Sequence, residues 1–416
     1  MDMMEKIRAE LEKSQLWLEK IKSELEVSSH SHSYDLVILD DIFPLRLSAF
    51  RIAEYNYYLE AFSRSLVLST GTAGMLKQNY SNLSEVIVDY EKFHPQFKGR
   101  VREFDQNISI NAKLIYTVFI NNIFYFIQYI EKNNIPFVFT LYPGGGFHID
   151  EEATNHKLAR VFASPNFRKV IITQRNTYEY LLNNNFCNPK QIELIYGCVV
   201  PSHNLTSNLY EKKSYRQNKV TFDICFVAYK YQPTGLHKGY DIFIEVAKNL
   251  ASKHDDFHFH IVGGHEPTDI DVSLLENNIT FYGQKTTDFF PDFYSGMDLI
   301  LSPNRPAFFP GAFDGFPTGA CAEAALSGVA LFCTDCLNLN VAFKDREEIV
   351  IISLSVQEIC ESIEYYWENY DELSELAKRG QLAFQQVFNL DYQMNPRLRL
   401  ISEYIGTKYS VKQRNN

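Results

Sequence analysis

Two lysines and two carboxylates stand in this chain where ordinary packing does not account for them. Lys230 directly follows the apolar run "FDICFVAY", and Lys238, with Gly239 beside it, opens the stretch "KGYDIFIEVAKNL". Two cations near one strand end suit a phosphate-bearing anion; solvated surface lysines are the plain alternative. Further on, "FDGFPTGACAEAALSGVALFCTD" (Phe313–Asp335) sets Asp314 and Glu323 among apolar neighbours. A carboxylate in such a run needs a partner to offset its desolvation. For Glu323 that partner is either a ligand or a structural Arg or Lys. Between the two acids, Gly315, Phe316 and Pro317 read as a turn. A helix beginning near Thr318 would offer the backbone N–H groups of Thr318, Gly319 and Ala320 to an anion, with Gly319 permitting close approach. In the first half, "LYPGGGFHID" ends a strand in Gly144, Gly145 and Gly146, followed by His148 and Asp150. The glycines either let backbone approach a ligand or form a flexible loop, and His148 either reaches that ligand or faces solvent.

The elements that must position these residues alternate between short apolar strands and helices, the pattern of parallel sheets covered on both faces. The expected fold class is α/β, with two Rossmann-like doubly wound domains facing a central cleft. Residues 31–200 form the first domain, 201–219 a polar linker, 220–392 the second, and 393–416 a last helix that crosses back to the first. Residues 1–30 read as an amphipathic helix with a heptad seam over Met4, Ile7, Leu11, Leu18, Ile21 and Leu25. That seam serves either a coiled coil or packing on its own domain. Within the first domain, "SEVIVDY" reads as a third strand and "NAKLIYTVFINNIFYFIQYIEKN" as one long core helix. Asp40 and Asp41 close the first strand and either cap a helix or bind substrate hydroxyls. In doubly wound sheets ligands lie outside the carboxyl ends of the strands, which directs attention to the cleft.

Composition narrows the function classes. The chain has 416 residues, 45% apolar and 22% charged, with 26 Tyr and 32 Phe, enough for large cores. A net charge of −11 argues against general nucleic-acid or anionic-membrane binding. Seven scattered cysteines imply reduced thiols, and the lone pair Cys333 and Cys336 reads as small core residues after a strand, not a zinc site. The charged opening segment is no signal peptide, and polar residues interrupt Ala112–Ile130 too often for a membrane span. A cytoplasmic protein is expected, with contact at the inner membrane face as a further option. His258 and His260 alternate on one strand and read as structural.

The order of "YKYQPTGLHKGYDIFIEVAKNL", "FHIVGG", "ITFYGQ", "FYSGMDLILSPN" and "DGFPTGACAEAALSGVALFCTD" resembles the GT-B glycosyltransferases, closest to the retaining, nucleotide-sugar-dependent group 1 enzymes. The resemblance is strong over residues 223–387 and weaker in the first half. It implies that Lys230 and Lys238 neutralise the diphosphate leaving group, that Asp314 holds hydroxyls of the transferred sugar, and that Glu323 accepts both ribose hydroxyls. A carboxylate offers two acceptor oxygens to a vicinal diol. The family spaces two glutamates with seven residues between; here an aspartate and a glutamate have eight between. Gly263, Gly264, Tyr282 and Gly283 fall where the family builds its base pocket, and Gly239, Gly315, Phe316 and Pro317 within the donor loops. Tyr142 stands where many members carry a sugar-contacting histidine, and Gly144, Gly145 and Gly146 belong to the acceptor side. The implied activity is transfer of a sugar from a UDP- or GDP-linked donor to a hydroxyl of a glycan, glycolipid or glycoprotein, with retention, without metal or other cofactor. Surface polysaccharide or glycoconjugate synthesis is the implied setting, with residues 4–25 available for homo-oligomerisation. The alternatives are a nucleotide-sugar epimerase on the same scaffold and a non-catalytic glycan- or nucleotide-binding partner.

Overall fold

The computed structural model describes residues 34–201, 211–231, 234–306 and 309–407. The heptad segment within residues 1–30 and residues 202–210 of the linker lie outside the described residues. The first sheet contains β1 (Tyr34–Asp40), β2 (Ser65–Ser69), β3 (Val101–Glu103), β4 (Ala112–Val118), β5 (Phe137–Leu141), β6 (Phe167–Ile172) and β7 (Ile192–Leu194), in the order β3-β2-β1-β4-β5-β6-β7. The second contains β8 (Phe222–Val227), β9 (Phe257–Val262), β10 (Ile279–Gly283), β11 (Leu299–Ser302), β12 (Ala330–Cys333) and β13 (Val350–Ile351), in the order β10-β9-β8-β11-β12-β13. All these pairings are parallel, and the order reverses beside β1 and again beside β8. Each reversal opens a crevice at the strands' carboxyl ends. The two domains are therefore both doubly wound, as expected.

Two sequence readings are corrected. The stretch "SEVIVDY" belongs to a helix, Leu83–Phe93, because Leu83, Val86 and Tyr90 recur at helical spacing and Asn82 caps the first turn by accepting from Glu85 N–H. The expected long helix over 111–133 divides into β4 and a helix at Ile120–Lys132. Its first part, "AKLIYTV", is almost entirely buried between β1 and β5 and carries β-branched and aromatic residues suited to a central strand. Phe119, at φ 69°, turns the chain between the two pieces. The long helical stretch after residue 356 likewise breaks at Asn369.

The last helix, Leu390–Ile405, leaves the second domain and packs against β4 and the helix Ala49–Ala61 of the first. It brings Arg397, fully buried, to a polar cluster beneath the first sheet. Glu54 there accepts from Tyr58 and Tyr142, at 3.3 and 3.0 Å, and from Tyr116. The Arg397 guanidinium lies 3.9 Å from Glu54 and 3.4 Å from the Tyr142 hydroxyl. Burial pushes the Glu54 carboxyl upward, and Arg397 is the main influence in the other direction. Replacing Arg397 with Met would strand this acid. The expected loss is about 3 kcal/mol of first-domain stability, read by urea unfolding; an unchanged midpoint would show that the tyrosines alone sustain Glu54.

Candidate active site

Loops from the carboxyl ends of both sheets enclose three adjoining cavities. The inner one, about 550 Å³, lies between Asp41, Arg51 and Asn122 on the first domain and Gly263, Gln284 and Glu323 on the second. A central one of about 270 Å³ is lined by Gln174, Lys238, Asp314 and Thr318, among others. The outer one, about 920 Å³, adds His148, His237 and Arg305. Phe119 and Tyr231 border all three, so they form one continuous cleft.

Lys238 sits in a single 3-10 turn, Leu236–Lys238, between Gly235 and Gly239, both left-handed. At Gly239 (φ 72°) a Cβ would lie 2.0 Å from the Pro303 carbonyl oxygen, so only glycine lets this turn rest on the loop after β11. The Lys238 ammonium is buried and donates to both Asp314 oxygens, at 2.6 and 2.7 Å. Burial works against its charge, and Asp314 together with Tyr231 and Cys321 more than offsets this, holding the pKa above the ordinary value. Thr318 caps the helix Gly319–Leu326 by accepting from Cys321 N–H. The Gly319 and Ala320 N–H groups have no acceptor among the described residues, and both residues line the inner and central cavities. This is an anion-receptive helix start.

Glu323, one turn along the same helix, borders the inner cavity. Its carboxyl has no hydrogen bond or ion pair among the described residues, and burial pushes its pKa up to about 7. The structural Arg or Lys considered from sequence is not present beside it among those residues. A half-neutral acid facing a cavity is a group waiting for donors.

Lys230 is not brought into this arrangement. Its ammonium donates to both Asp269 oxygens, at 2.6 and 2.7 Å, and none of the three cavities is lined by it. After β8, Tyr229 and Tyr231 line the cleft while the Lys230 side chain is held by Asp269. Lys238, Tyr229 and Tyr231 thus line the central cavity together. Of the expected base-pocket residues, Gly263 lines the inner cavity, whereas Gly264, Tyr282 and Gly283 do not; Gln284 and Lys285 also line it. The Tyr282 hydroxyl instead bonds His260, 3.0 Å away, and His260 bonds Asp223 at 2.7 Å, the structural role read for that histidine.

On the first domain, Gly144 and Gly145 border the cleft, while Gly146 does not and accepts from Thr154 through its carbonyl. At Gly145 (φ 54°) a Cβ would stand 2.3 Å from the Phe119 ring. His148 borders the outer cavity, 3.5 Å from Glu151, and is about one-third exposed. The Tyr142 ring lines the central cavity, but its hydroxyl turns inward to Glu54. Asp40 is buried, accepting from Ile42 and Phe43 N–H and from Arg51 and Tyr55. Asp41 faces the inner cavity, bonded by Arg51 and Asn122 at 3.0 Å each, and burial raises its pKa despite Arg51. Gly315 and Pro317 line the central cavity, and Phe316 is buried beside it. Cys333 is buried as read, but Cys336 is exposed; all seven cysteines are free. The described residues contain no cluster of His, Cys, Asp and Glu able to hold a metal, and no described helix is long and apolar enough to cross a membrane.

Two doubly wound domains closing on such a cleft define the GT-B fold. Residues 222–369 match the family described as glycosyl transferases group 1, so the resemblance read from sequence holds over the second domain. Among solved structures, the chain is similar to Anabaena HepE in complex with UDP and glucose (TM-score 0.65, 15% identity, 89% of this chain and 99% of that one). It is also similar to the sucrose-phosphate synthase of Thermosynechococcus elongatus (TM-score 0.61, 13% identity, 89% and 99%). A glycosyltransferase from Rickettsia africae gives a TM-score of 0.58 at 14% identity, over 91% and 100% of the two chains. No curated protein matches the chain.

If Glu323 grips a ligand diol as the anion, binding favours its ionised form. Nucleotide affinity should then rise as pH climbs through about 7 and fall away below it. Calorimetry from about pH 6 to about pH 8 should show this component in the wild type and lack it in Glu323→Gln; parallel profiles would remove the residue from the site.

Proposed function

We propose that this chain is a glycosyltransferase that moves a sugar from a nucleotide-sugar donor to a hydroxyl acceptor, with retention of configuration. The observation that carries this reading is the alignment along one cleft of an unpartnered Glu323, an open helix start at Gly319 and Ala320, and the Lys238 ammonium. Spaced in that order, they match a ribose, a diphosphate and its departing charge. UDP in the HepE complex supports uridine as the first nucleotide to test. Gly263, Gln284 and Lys285 then border the base.

In the proposed reaction the helix N–H groups and Lys238 stabilise charge developing on the leaving diphosphate, in a site already arranged to do so. Asp314, held by Lys238 on both oxygens, exchanges that cation for a sugar hydroxyl once the diphosphate takes the ammonium. The leaving phosphate itself takes the acceptor proton, as the family resemblance implies. The first-domain wall of the inner cavity, with Asp41, Asn122 and the Phe50 and Phe119 rings, presents acceptors, donors and flat apolar surface to an incoming sugar alcohol. A role in surface polysaccharide or glycoconjugate synthesis suits that wall.

A thermal-shift panel of nucleotide sugars is the direct test: the preferred donor should raise the wild-type midpoint and leave Glu323→Ala almost unmoved. Equal shifts, or none with any donor, would defeat the reading. With a donor in hand, Lys238→Ala should lower kcat by about 10²–10³-fold. Lys230→Ala should cost less than about tenfold, because Asp269 and not the cleft holds that side chain; comparable losses would place Lys230 in the reaction.

A further inference from the structure

Two polar side chains at the end of β6 have no task in the reading above. Thr173 and Gln174 follow Ile172 directly and are only 1% and 2% exposed. Both border the central cavity, together with Lys238, Asp314, Thr318 and Gly319. Thr173 Oγ1 and Gln174 Oε1 are buried with no hydrogen-bond partner among the described residues. Native proteins keep few such atoms, since each gives up its hydration without a replacement. The Gln174 amide nitrogen is differently placed. It reaches across the cleft to the Phe316 carbonyl in the second domain, at 3.4 Å. It does so beside Gly315, where any Cβ would stand 3.1 Å from it. The turn carrying Asp314 is therefore fitted closely around this first-domain side chain.

We infer that Thr173 and Gln174 bind the transferred sugar, their two unpartnered oxygens accepting its hydroxyl hydrogens. The inference rests on the nucleotide-sugar reading and names the side chains with which the first domain reads that sugar. Position argues for the sugar. Lys238 and the helix start hold the diphosphate at this same cavity, so the group filling its remainder is the one bonded to the diphosphate. Chemistry argues for hydroxyls. Amide and hydroxyl oxygens accept from O–H without carrying charge, which suits a neutral ring and not a second anion. A site built to hydrogen-bond a substrate hydroxyl discriminates strongly against analogues that lack it, so these residues set sugar specificity. Because Gln174 also touches the Phe316 carbonyl, sugar recognition requires both domains in place.

Calorimetry on the full chain tests this, with UDP- and GDP-linked hexoses each measured beside free UDP or GDP. The variants are Gln174→Met and Thr173→Val, which keep side-chain shape. For the sugar nucleotide that the wild type prefers, Gln174→Met should weaken binding about tenfold, with the matching diphosphate within about twofold. Thr173→Val should lose about threefold in the same direction, and it decides the matter if the first variant does not fold. Equal losses on sugar nucleotide and diphosphate, or no loss on either, would overturn the inference. So would a lower ligand-free melting midpoint with unchanged ligand preference, the mark of a purely structural pair. Absence of nucleotide binding by the wild type would instead remove the underlying reading.

Discussion

The second domain's half of the cleft depends on one ion pair, Lys238 with Asp314. A buried ammonium is tolerable only beside an acid, and here both acid oxygens receive it. The pair joins the loop after β8 to the loop after β11, the two strands between which the sheet changes direction. It thereby ties the Lys238 turn to the segment that leads, through Gly315–Pro317, into the anion-receptive helix start at Gly319. A ligand that draws the ammonium away leaves Asp314 with two free acceptor oxygens.

Much of this was legible in the chain before its folding was known. Strand–helix alternation sufficed for two doubly wound domains, and a carboxylate in an apolar run sufficed to single out Glu323. Other features were not legible, for physical reasons. In "NAKLIYTVFINN" apolar residues are so dense that helical and strand periods fit equally, and only its place between β1 and β5 decides the outcome. In "SEVIVDY" β-branched residues favour a strand in isolation, and the Asn82 cap with the buried stripe outweighs them.

The tyrosines flanking Lys230 show a subtler limit. Charge drew attention to the lysine, yet Asp269 holds it and its tyrosine neighbours line the cleft. The signal was present in "AYKY", where an apolar-bodied residue stands on either side of a charged one. Reading it required knowing that Asp269, far along the chain, reaches the lysine. Gln174 was silent for a similar reason: its amide gains meaning only because residues 315 and 316 arrive opposite.

The Arg397 cluster carries a consequence for biosynthesis. Glu54 belongs to an early helix, and its guanidinium neighbour is more than three hundred residues downstream. On the ribosome the first sheet can assemble long before that arginine emerges, with Glu54 protonated or water-bound among its tyrosines in the meantime. The domain made first is thus completed last, and translation must pass the middle of Leu390–Ile405 before the buried acid meets its counter-charge.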